Sequence, residues 1–285
     1  MSQHPRIDSH MHVWQLSRGD YGWLTPDRGS IYRDFTVDDV RESWEQAGID
    51  YAILVQAAPT VEETRYLLSV AEAEPKVRGV VGWIDMLSPH AISELKHLSS
   101  NKLLRSIRPM LQDIPDDDWM LKAELTPVYR ALIDLGICFD ALVLPRHLPN
   151  LLRLIERHPD LSIVVDHGAK PSIGEQLDSW RRDLMQVANI PHVHCKFSGL
   201  VTECRGTASK ETLQPVAEVL IDLFGPERLM FGSDWPVCTL RSTYLQWWQW
   251  AQELTSHLTQ DQRAAIFGGT AQRFYRLDLP LDNQG

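Results

Sequence analysis

Eight short apolar segments, each followed by a stretch with helical spacing, run through the 285 residues of the sequence. Nearly continuous apolar segments are typical of strands in a parallel sheet that is buried on both faces. Eight such strands alternating with helices indicate an α/β chain that closes into a (β/α)8 barrel, also called a TIM barrel. A doubly wound open sheet is the alternative, but no Gly-x-Gly-x-x-Gly motif follows any segment. The strands are expected at 6–14, 51–56, 77–84, 103–110, 137–144, 161–166, 193–197 and 229–233.

Length, charge and cysteine content limit what such a chain can be. Barrels of about 250 residues are single units, so we expect one domain over 1–285. The net charge of −10 argues against non-specific binding of nucleic acid, and no apolar run approaches the ~20 residues of a membrane helix. The short polar N-terminus lacks a signal-peptide stretch, which predicts a cytoplasmic protein. The four cysteines form no Cys-x-x-Cys pair and are expected to be reduced and mostly buried.

Two connections are longer than the usual loops of about two to six residues. Residues 15–36 follow the first strand, and residues 111–124 follow the fourth. In a barrel both loops lie at the C-terminal face, where active sites are built. We predict that they form a lid or the walls of a pocket; plain surface excursions are the alternative.

The first strand carries a His-x-His pair. Side chains two residues apart on a strand point to the same face. His10 and His12 should therefore emerge side by side, with their Cβ atoms about 6.5–7 Å apart. Two imidazoles at that separation can converge on one ion or on one substrate oxygen. The alternative, that they are core histidines with satisfied hydrogen bonds, would suit a lone histidine better than a pair.

Polar residues also end other strands, although a buried strand favours apolar side chains. Arg108 lies on the fourth strand, His167 follows the sixth, Lys196 lies on the seventh and Asp234 follows the eighth. Because the strands of a barrel all end at the same face, a shared pocket is the simplest explanation.

Four motifs at these strand ends form a recognisable set. They read Ile-Asp-Ser-His10-Met-His12-Val-Trp, Val-Asp-His167-Gly-Ala-Lys-Pro, Cys-Lys196-Phe-Ser-Gly199-Leu and Met-Phe-Gly-Ser-Asp234-Trp-Pro. Together they resemble the amidohydrolase superfamily, and more closely its lactonase branch, which includes hydrolases of sugar lactones such as L-fuconolactone and L-rhamnonolactone. The segment 266–275 fits the same group, so the resemblance spans essentially the whole chain. It implies a (β/α)8 barrel and hydrolysis at a carbonyl group.

The resemblance also bears on metal binding. Superfamily members with two metals place a bridging carboxylated Lys or Glu on strand four and a His on each of strands five and six. Here strand four offers Arg108 and no acid, and strand five contains no His, so at most one ion is expected. Zinc would suit the nitrogen and oxygen ligands, and related lactonases include members without a metal. The cofactor is therefore expected to be one divalent ion or none, with His10, His12, His167 and Asp234 as its ligands.

The same resemblance implies a mechanism. Asp234 is expected to act as general base toward the attacking water. The three histidines, His10, His12 and His167, or one Zn²⁺ held by them, would stabilise the oxyanion. Substrate-binding candidates are Arg108, Gln112, Lys196, Trp14, Trp83 and Trp235; as the alternative, Arg108 and Lys196 form a buried ion pair with Asp140 or Asp166.

The expected activity is hydrolysis of a sugar (aldono) lactone, with a small molecule as the partner. A zinc-dependent decarboxylase of an aromatic or vinylogous acid is the rival enzyme, and a muconate- or pyrone-type lactone is a further substrate within the favoured class. A non-enzymatic sugar-acid binder is disfavoured because the polar set is complete. Trp247, Trp248 and Trp250 cannot all face one way on a helix, which leaves a homo-oligomer open.

Overall fold

The computed structural model describes residues 5–280 and contains one sheet of eight parallel strands in the order β1 to β8. The backbone of Asp234, after β8, donates to the carbonyl of His10 on β1 (2.7 Å), which closes the sheet into a barrel. The predicted TIM barrel is therefore confirmed. Most strands end earlier than predicted because their last residues leave the ladder to form the carboxyl-end loops. The strands are β1 Ile7–Met11, β2 Tyr51–Val55, β3 Val77–Gly82, β4 Leu104–Ile107, β5 Cys138–Ala141, β6 Ile163–Val165, β7 His194–Phe197 and β8 Leu229–Phe231.

Helices cover the outside of the barrel. Several begin at a side-chain cap: Thr60, Ser209 and Thr243 each accept a hydrogen bond from a backbone N–H of the first turn. The helices are α1 Arg41–Ala47, α2 Val61–Ala73, α3 Ala91–Leu98, α4 Thr126–Leu135, α5 Leu148–Arg157, α6 Asp178–Ala188, α7 Lys210–Phe224, α8 Tyr244–Leu254, α9 Gln260–Ala264 and α10 Thr270–Phe274.

Strand alternation divides the apolar residues into two clusters. On β2, Ala52 and Leu54 join the large cluster between strands and helices, whereas Ile53 and Val55 join a smaller cluster inside the barrel. Phe274 of α10 packs against this inner cluster. The apolar inner cluster leaves the carboxyl end of the interior to polar side chains, which build the site described below.

The segment between α9 and α10 packs closely against the start of β1. Residues Ala265–Gly269 form one π-helical turn, at the Gly268–Gly269 pair. A Cβ atom on Gly268 would lie 1.7 Å from the carbonyl oxygen of Pro5, so only glycine permits this approach to the start of β1.

The state of the cysteines and the character of the helices bear on two expectations from the sequence. The four cysteines, Cys138, Cys195, Cys204 and Cys238, are buried and unpaired, as predicted. Within residues 5–280, no helix has the length and apolar character needed to cross a bilayer.

Candidate active site

Three histidines surround one carboxylate at the carboxyl end of the barrel. The Oδ1 atom of Asp234 lies 3.3 Å from Nε2 of His12, 3.7 Å from Nε2 of His10 and 3.9 Å from Nε2 of His167. The ring centroids of His10 and His12 are 5.0 Å apart, and those of His10 and His167 are 4.4 Å apart. All four side chains are buried. The structure thus brings together four residues that come from the ends of β1, β6 and β8.

Asp8 links the two strands that carry His10 and Asp234. Its Oδ1 atom accepts hydrogen bonds from the backbone nitrogens of Ser233 (2.8 Å) and His10 (3.3 Å). Tyr244 donates to its other oxygen at 3.0 Å. Burial raises the pKa of Asp8 to about 6, although these hydrogen bonds favour the ionised form. Asp8 therefore holds β1 and the end of β8 in register directly beneath the site.

His167 is held in an uncommon backbone conformation. Its φ is 54°, in the left-handed region that few non-glycine residues adopt. Its Nδ1 lies 2.9 Å from the hydroxyl of Ser198. A Cβ atom on Gly199 would lie 2.3 Å from the same nitrogen, and Gly199 itself has a φ of 66°. The Ser198–Gly199 pair after β7 therefore leaves just enough room for the imidazole.

The hydrogen bonds of His12 fix its tautomer. Its Nδ1 lies 2.8 Å from the carbonyl oxygen of Val55, which can only accept, so Nδ1 carries the proton. In neutral His12 the Nε2 lone pair then faces the Oδ1 atom of Asp234 at 3.3 Å. Two acceptors at that distance need a proton or a cation between them.

His10 carries its proton on the opposite nitrogen. Its Nδ1 lies 3.1 Å from the ammonium of Lys196, which has donors only, so Nδ1 is the acceptor. Burial, reinforced by the charge of Lys196, lowers the pKa of His10 well below its usual value. Because the Lys196 contact is the shorter of the two that His10 makes with a cation, neutral His10 carries its proton on Nε2, 3.7 Å from Oδ1 of Asp234. Nη1 of Arg108 lies 3.5 Å from the same nitrogen and donates to Asp166.

A layer of paired charges lies beneath the histidines. Lys196 is 0% exposed, and its ammonium contacts Asp140 at 2.5 Å and Asp166 at 3.2 Å in addition to His10. Tyr275 donates to Asp140 at 2.8 Å. We call Asp140, Asp166, Lys196 and Tyr275 the floor. The ammonium of Lys196 is thus hydrogen-bonded to His10 and Asp140 and ion-paired with Asp166 in a fully buried position, so the predicted contact of Lys196 with substrate gives way to the alternative, a buried ion pair.

Arg108 donates a hydrogen bond to the floor residue Asp166 and also lines the cavity above the floor. Its Nη1 donates to Asp166 at 3.1 Å, and its Nη2 donates to the carbonyl oxygen of Gln56. Its buried Nε has no partner within residues 5–280. Burial would raise the pKa of Asp166, but Lys196, His10 and Arg108 hold it well below its usual range. Arg108 is therefore both an ion-pair partner and a wall of the site.

The protonation states of the upper residues follow from burial and charge. Burial would raise the pKa of Asp234, but His167, His12 and the ammonium of Lys170 lower it below its usual value. Burial lowers the pKa of His167 to about 4. At neutral pH the site therefore holds an ionised carboxylate beside a neutral His167.

These residues open into a cavity of about 220 Å³. His12, His167, Asp234, Arg108 and Gln112 line it, so five of the predicted site residues share one space. Drug-sized ligands occupy pockets of roughly 300–1,000 Å³. A cavity of this size suits a smaller ligand, such as a single sugar ring.

The three tryptophans predicted to contact substrate lie outside the lining of this cavity. Trp14 is fully buried and donates to the carbonyl of Arg33 at 2.7 Å, and Trp235 packs edge-on against Phe35. Neither these two nor Trp83 is among the residues that line the cavity in the described part of the chain. Trp23 lines it instead.

Two of the lining residues that were not predicted, Trp23 and Lys170, lie in segments that the sequence had already indicated. Trp23 lies in the long 15–36 loop, which was predicted to form a lid or wall, and its Nε1 donates to the carbonyl of Ala57 at 2.6 Å. Lys170 belongs to the His167 motif and lines the cavity from the turn after β6. The position of each depends on loop conformation, which periodicity does not reveal.

The donor set fits one divalent ion. The ligand atoms of His10, His12 and Asp234 lie within 4.8 Å of one another, as do those of His10, Asp166 and His167. The Nε2 lone pair of His12 faces the carboxylate of Asp234 at 3.3 Å, and a cation between them would be bound by both. His10 would have to give up its Nε2 proton to join them, because its Nδ1 is occupied by Lys196.

Known proteins resemble this chain in sequence and in fold. The chain is 41% identical to an L-fucono-1,5-lactonase from Burkholderia ambifaria, over 98% of each chain. It is 36% identical to an L-fucono-1,5-lactonase from Burkholderia multivorans, over 97% of this chain and 98% of the relative. The crystal structure of a zinc-bound amidohydrolase from Burkholderia multivorans covers 96% of this chain and 100% of its own, with 35% identity and a TM-score of 0.91. The amidohydrolase family model matches residues 7–277, and the chain belongs to the amidohydrolase family.

Proposed function

We propose that this protein hydrolyses the ester bond of a sugar lactone, with L-fucono-1,5-lactone as the first candidate. The observation that carries the proposal is the ionised Asp234, which lies within 3.9 Å of three imidazoles and, together with His12 and His167, lines a cavity the size of one sugar ring. The names of the two relatives from Burkholderia support the choice of substrate.

Asp234 acts as the general base in this mechanism. Its pKa is held below the usual value, so it is ionised at neutral pH and can take a proton from a water molecule. The water oxygen attacks the lactone carbonyl carbon, which becomes tetrahedral and places a negative charge on the former carbonyl oxygen. Asp234 then holds the proton that the leaving group needs.

Arg108 and His167, which line the cavity beside Asp234, stabilise the oxyanion. Donors held in place before the reaction are usually the largest contribution to catalysis of this type. When the intermediate collapses, the bond to the ring oxygen breaks. That oxygen takes the proton from Asp234, which yields a free hydroxy acid and returns the carboxylate.

A divalent ion would add to this machinery rather than replace it. His10, His12 and Asp234 would hold the ion, which when bound would polarise the carbonyl and make water more acidic. The zinc bound in the similar Burkholderia multivorans structure supports the choice of a divalent ion.

The cavity walls bind the rest of the ring. Gln112 and Arg108 line the cavity and offer hydrogen bonds to hydroxyl groups, and Trp23 offers an aromatic surface for the carbon skeleton. Lys196 has no part in substrate binding, because it is fully buried in the floor and paired there with Asp140, Asp166 and His10.

A pH-indicator screen of aldonolactones, aryl lactones and muconate-type lactones tests the proposal, since each ring opening releases an acid. The screen is run with metal-analysed protein, with and without a chelator. We expect the fastest turnover with an aldono-1,5-lactone. Absence of lactone turnover, together with release of CO2 from an aromatic acid, would favour the decarboxylase and contradict the proposal.

A further inference from the structure

Lys170 reaches the cavity through an unusual turn. The four residues His167, Gly168, Ala169 and Lys170 have φ values of 54°, 58°, 61° and 51°, so the chain makes one left-handed turn after β6. Only one of the four is glycine, and left-handed turns of other residues are energetically costly. Such costs persist where surrounding contacts impose them, often at functional sites.

Buried contacts hold this turn in place. The indole Nε1 of Trp180 on α6 donates to the carbonyl of Gly168 at 2.7 Å, and the backbone nitrogen of Lys170 donates to the carbonyl of His167 at 2.9 Å. As a result, His167 and Lys170, three residues apart, both line the cavity. The turn therefore places an imidazole and an ammonium on the same wall.

The ammonium of Lys170 has a donor to spare. It donates to Oε1 of Gln112 at 3.1 Å and lies 3.1 Å from Oε1 of Glu203. An ammonium carries three N–H donors, so two are accounted for. The third is available at the cavity side of a residue that is 21% exposed.

From this geometry we propose that Lys170 is a specificity-determining residue that donates a hydrogen bond to a ring hydroxyl of the lactone. The inference rests on the proposed lactonase function. Because the hydroxyl lies away from the bond that breaks, the contact is the same in the ground state and the transition state. Its loss should therefore raise KM more than it lowers kcat.

Two lactones with the same six-membered ring test the inference. L-fucono-1,5-lactone carries ring hydroxyls, and δ-valerolactone carries none. Lys170→Met should lower the ratio of their kcat/KM values about 10- to 100-fold, as expected for one hydrogen bond to a charged group. Lys170→Arg should restore most of the ratio. Turnover of δ-valerolactone by Lys170→Met shows that the variant is folded, and taking the ratio of the two lactones cancels any change in the general base Asp234, whose pKa the Lys170 ammonium helps to lower.

Lys122 provides a matched control. It is a lysine on the 111–124 loop that pairs with Asp116 at 3.0 Å and is not among the residues lining the cavity. Lys122→Met should leave the substrate ratio unchanged. An unchanged ratio in Lys170→Met, with both lactones affected equally, would show that Lys170 only braces Gln112 and Glu203, and would overturn the inference alone. If wild-type protein hydrolyses neither lactone and calorimetry shows that it binds neither ring-opened acid, the proposed function and this inference both fail.

Discussion

Two lysines at the carboxyl end of the barrel show how one residue type serves two purposes. Lys196 lies in the floor, is 0% exposed, and its ammonium contacts three protein groups, Asp140, Asp166 and His10. Lys170 is partly exposed, lines the cavity and keeps one donor free. The two differ in spare hydrogen-bonding capacity rather than in charge. We call His12, His167, Lys170 and Asp234, which line the cavity above the floor, the mouth.

The largest expected effect comes from breaking the floor. Lys196→Met would leave the two buried carboxylates of Asp140 and Asp166 without their shared cation, and breaking a buried ion pair costs about 3–5 kcal/mol. Urea denaturation at neutral pH should show a loss of that size in the free energy of unfolding. Lys170→Met should lose less than about 1 kcal/mol, as expected for a partly exposed ion pair. Equal losses in the two variants would remove the distinction between floor and mouth.

Breaking the mouth should affect turnover instead of stability. Asp234→Asn keeps the size of the side chain but removes the base, and general bases contribute at least about a hundredfold to rate. We expect kcat to fall by at least that factor while the urea midpoint changes little. Near-normal turnover would reject Asp234 as the base, whatever the stability of the variant.

Glu63 is a buried carboxyl outside the floor and the mouth, and it sharpens the comparison because no described cation lies as close to it as Lys196 lies to the floor carboxylates. Glu63, beneath the 15–36 loop, accepts hydrogen bonds from Tyr21 (2.7 Å) and from the backbone of Ala57 (3.1 Å), and Arg18 lies 3.4 Å away. Burial raises its pKa from 4.5 to about 7. Between these two values the folded state binds more protons than the unfolded state, so its contribution to stability is present below 4.5 and is lost as pH rises to 7.

Glu63→Gln is neutral at every pH and, like the protonated carboxyl, carries one acceptor oxygen and one donor group. Relative to wild type, it should gain about 3 kcal/mol in the free energy of unfolding between pH 4.5 and pH 8. Chemical denaturation at the two pH values measures this difference. A difference that does not change with pH would show that Glu63 is ionised in the folded protein, like the carboxylates of the floor.

The smallest expected effect tests a neutral member of the floor. Tyr275→Phe removes one hydroxyl that donates to Asp140, and a hydrogen bond to a charged group is worth about 1.5 kcal/mol or slightly more. Stability should fall by that amount, with kcat unchanged because Tyr275 does not line the cavity. A selective fall in kcat would show that the floor takes part in the reaction.

The sequence by itself determined the barrel and the principal polar set. Eight apolar segments with helical stretches between them require parallel strands, and strands in a barrel end at one face. That rule placed His10, His12, His167 and Asp234 together, because strand periodicity depends only on residues close in the chain.

Only the tertiary structure decided how each polar residue is used. Lys196 and Asp140 are 56 positions apart, and nothing in their local sequence states that the ammonium will be fully occupied. Likewise, Lys170 reaches the cavity through the left-handed turn that the Trp180 contact holds in place, and Trp23 rather than Trp14 lines the cavity because of the way the 15–36 loop folds. Whether a donor is satisfied depends on neighbours from distant strands and loops, and these are known only once the chain is folded.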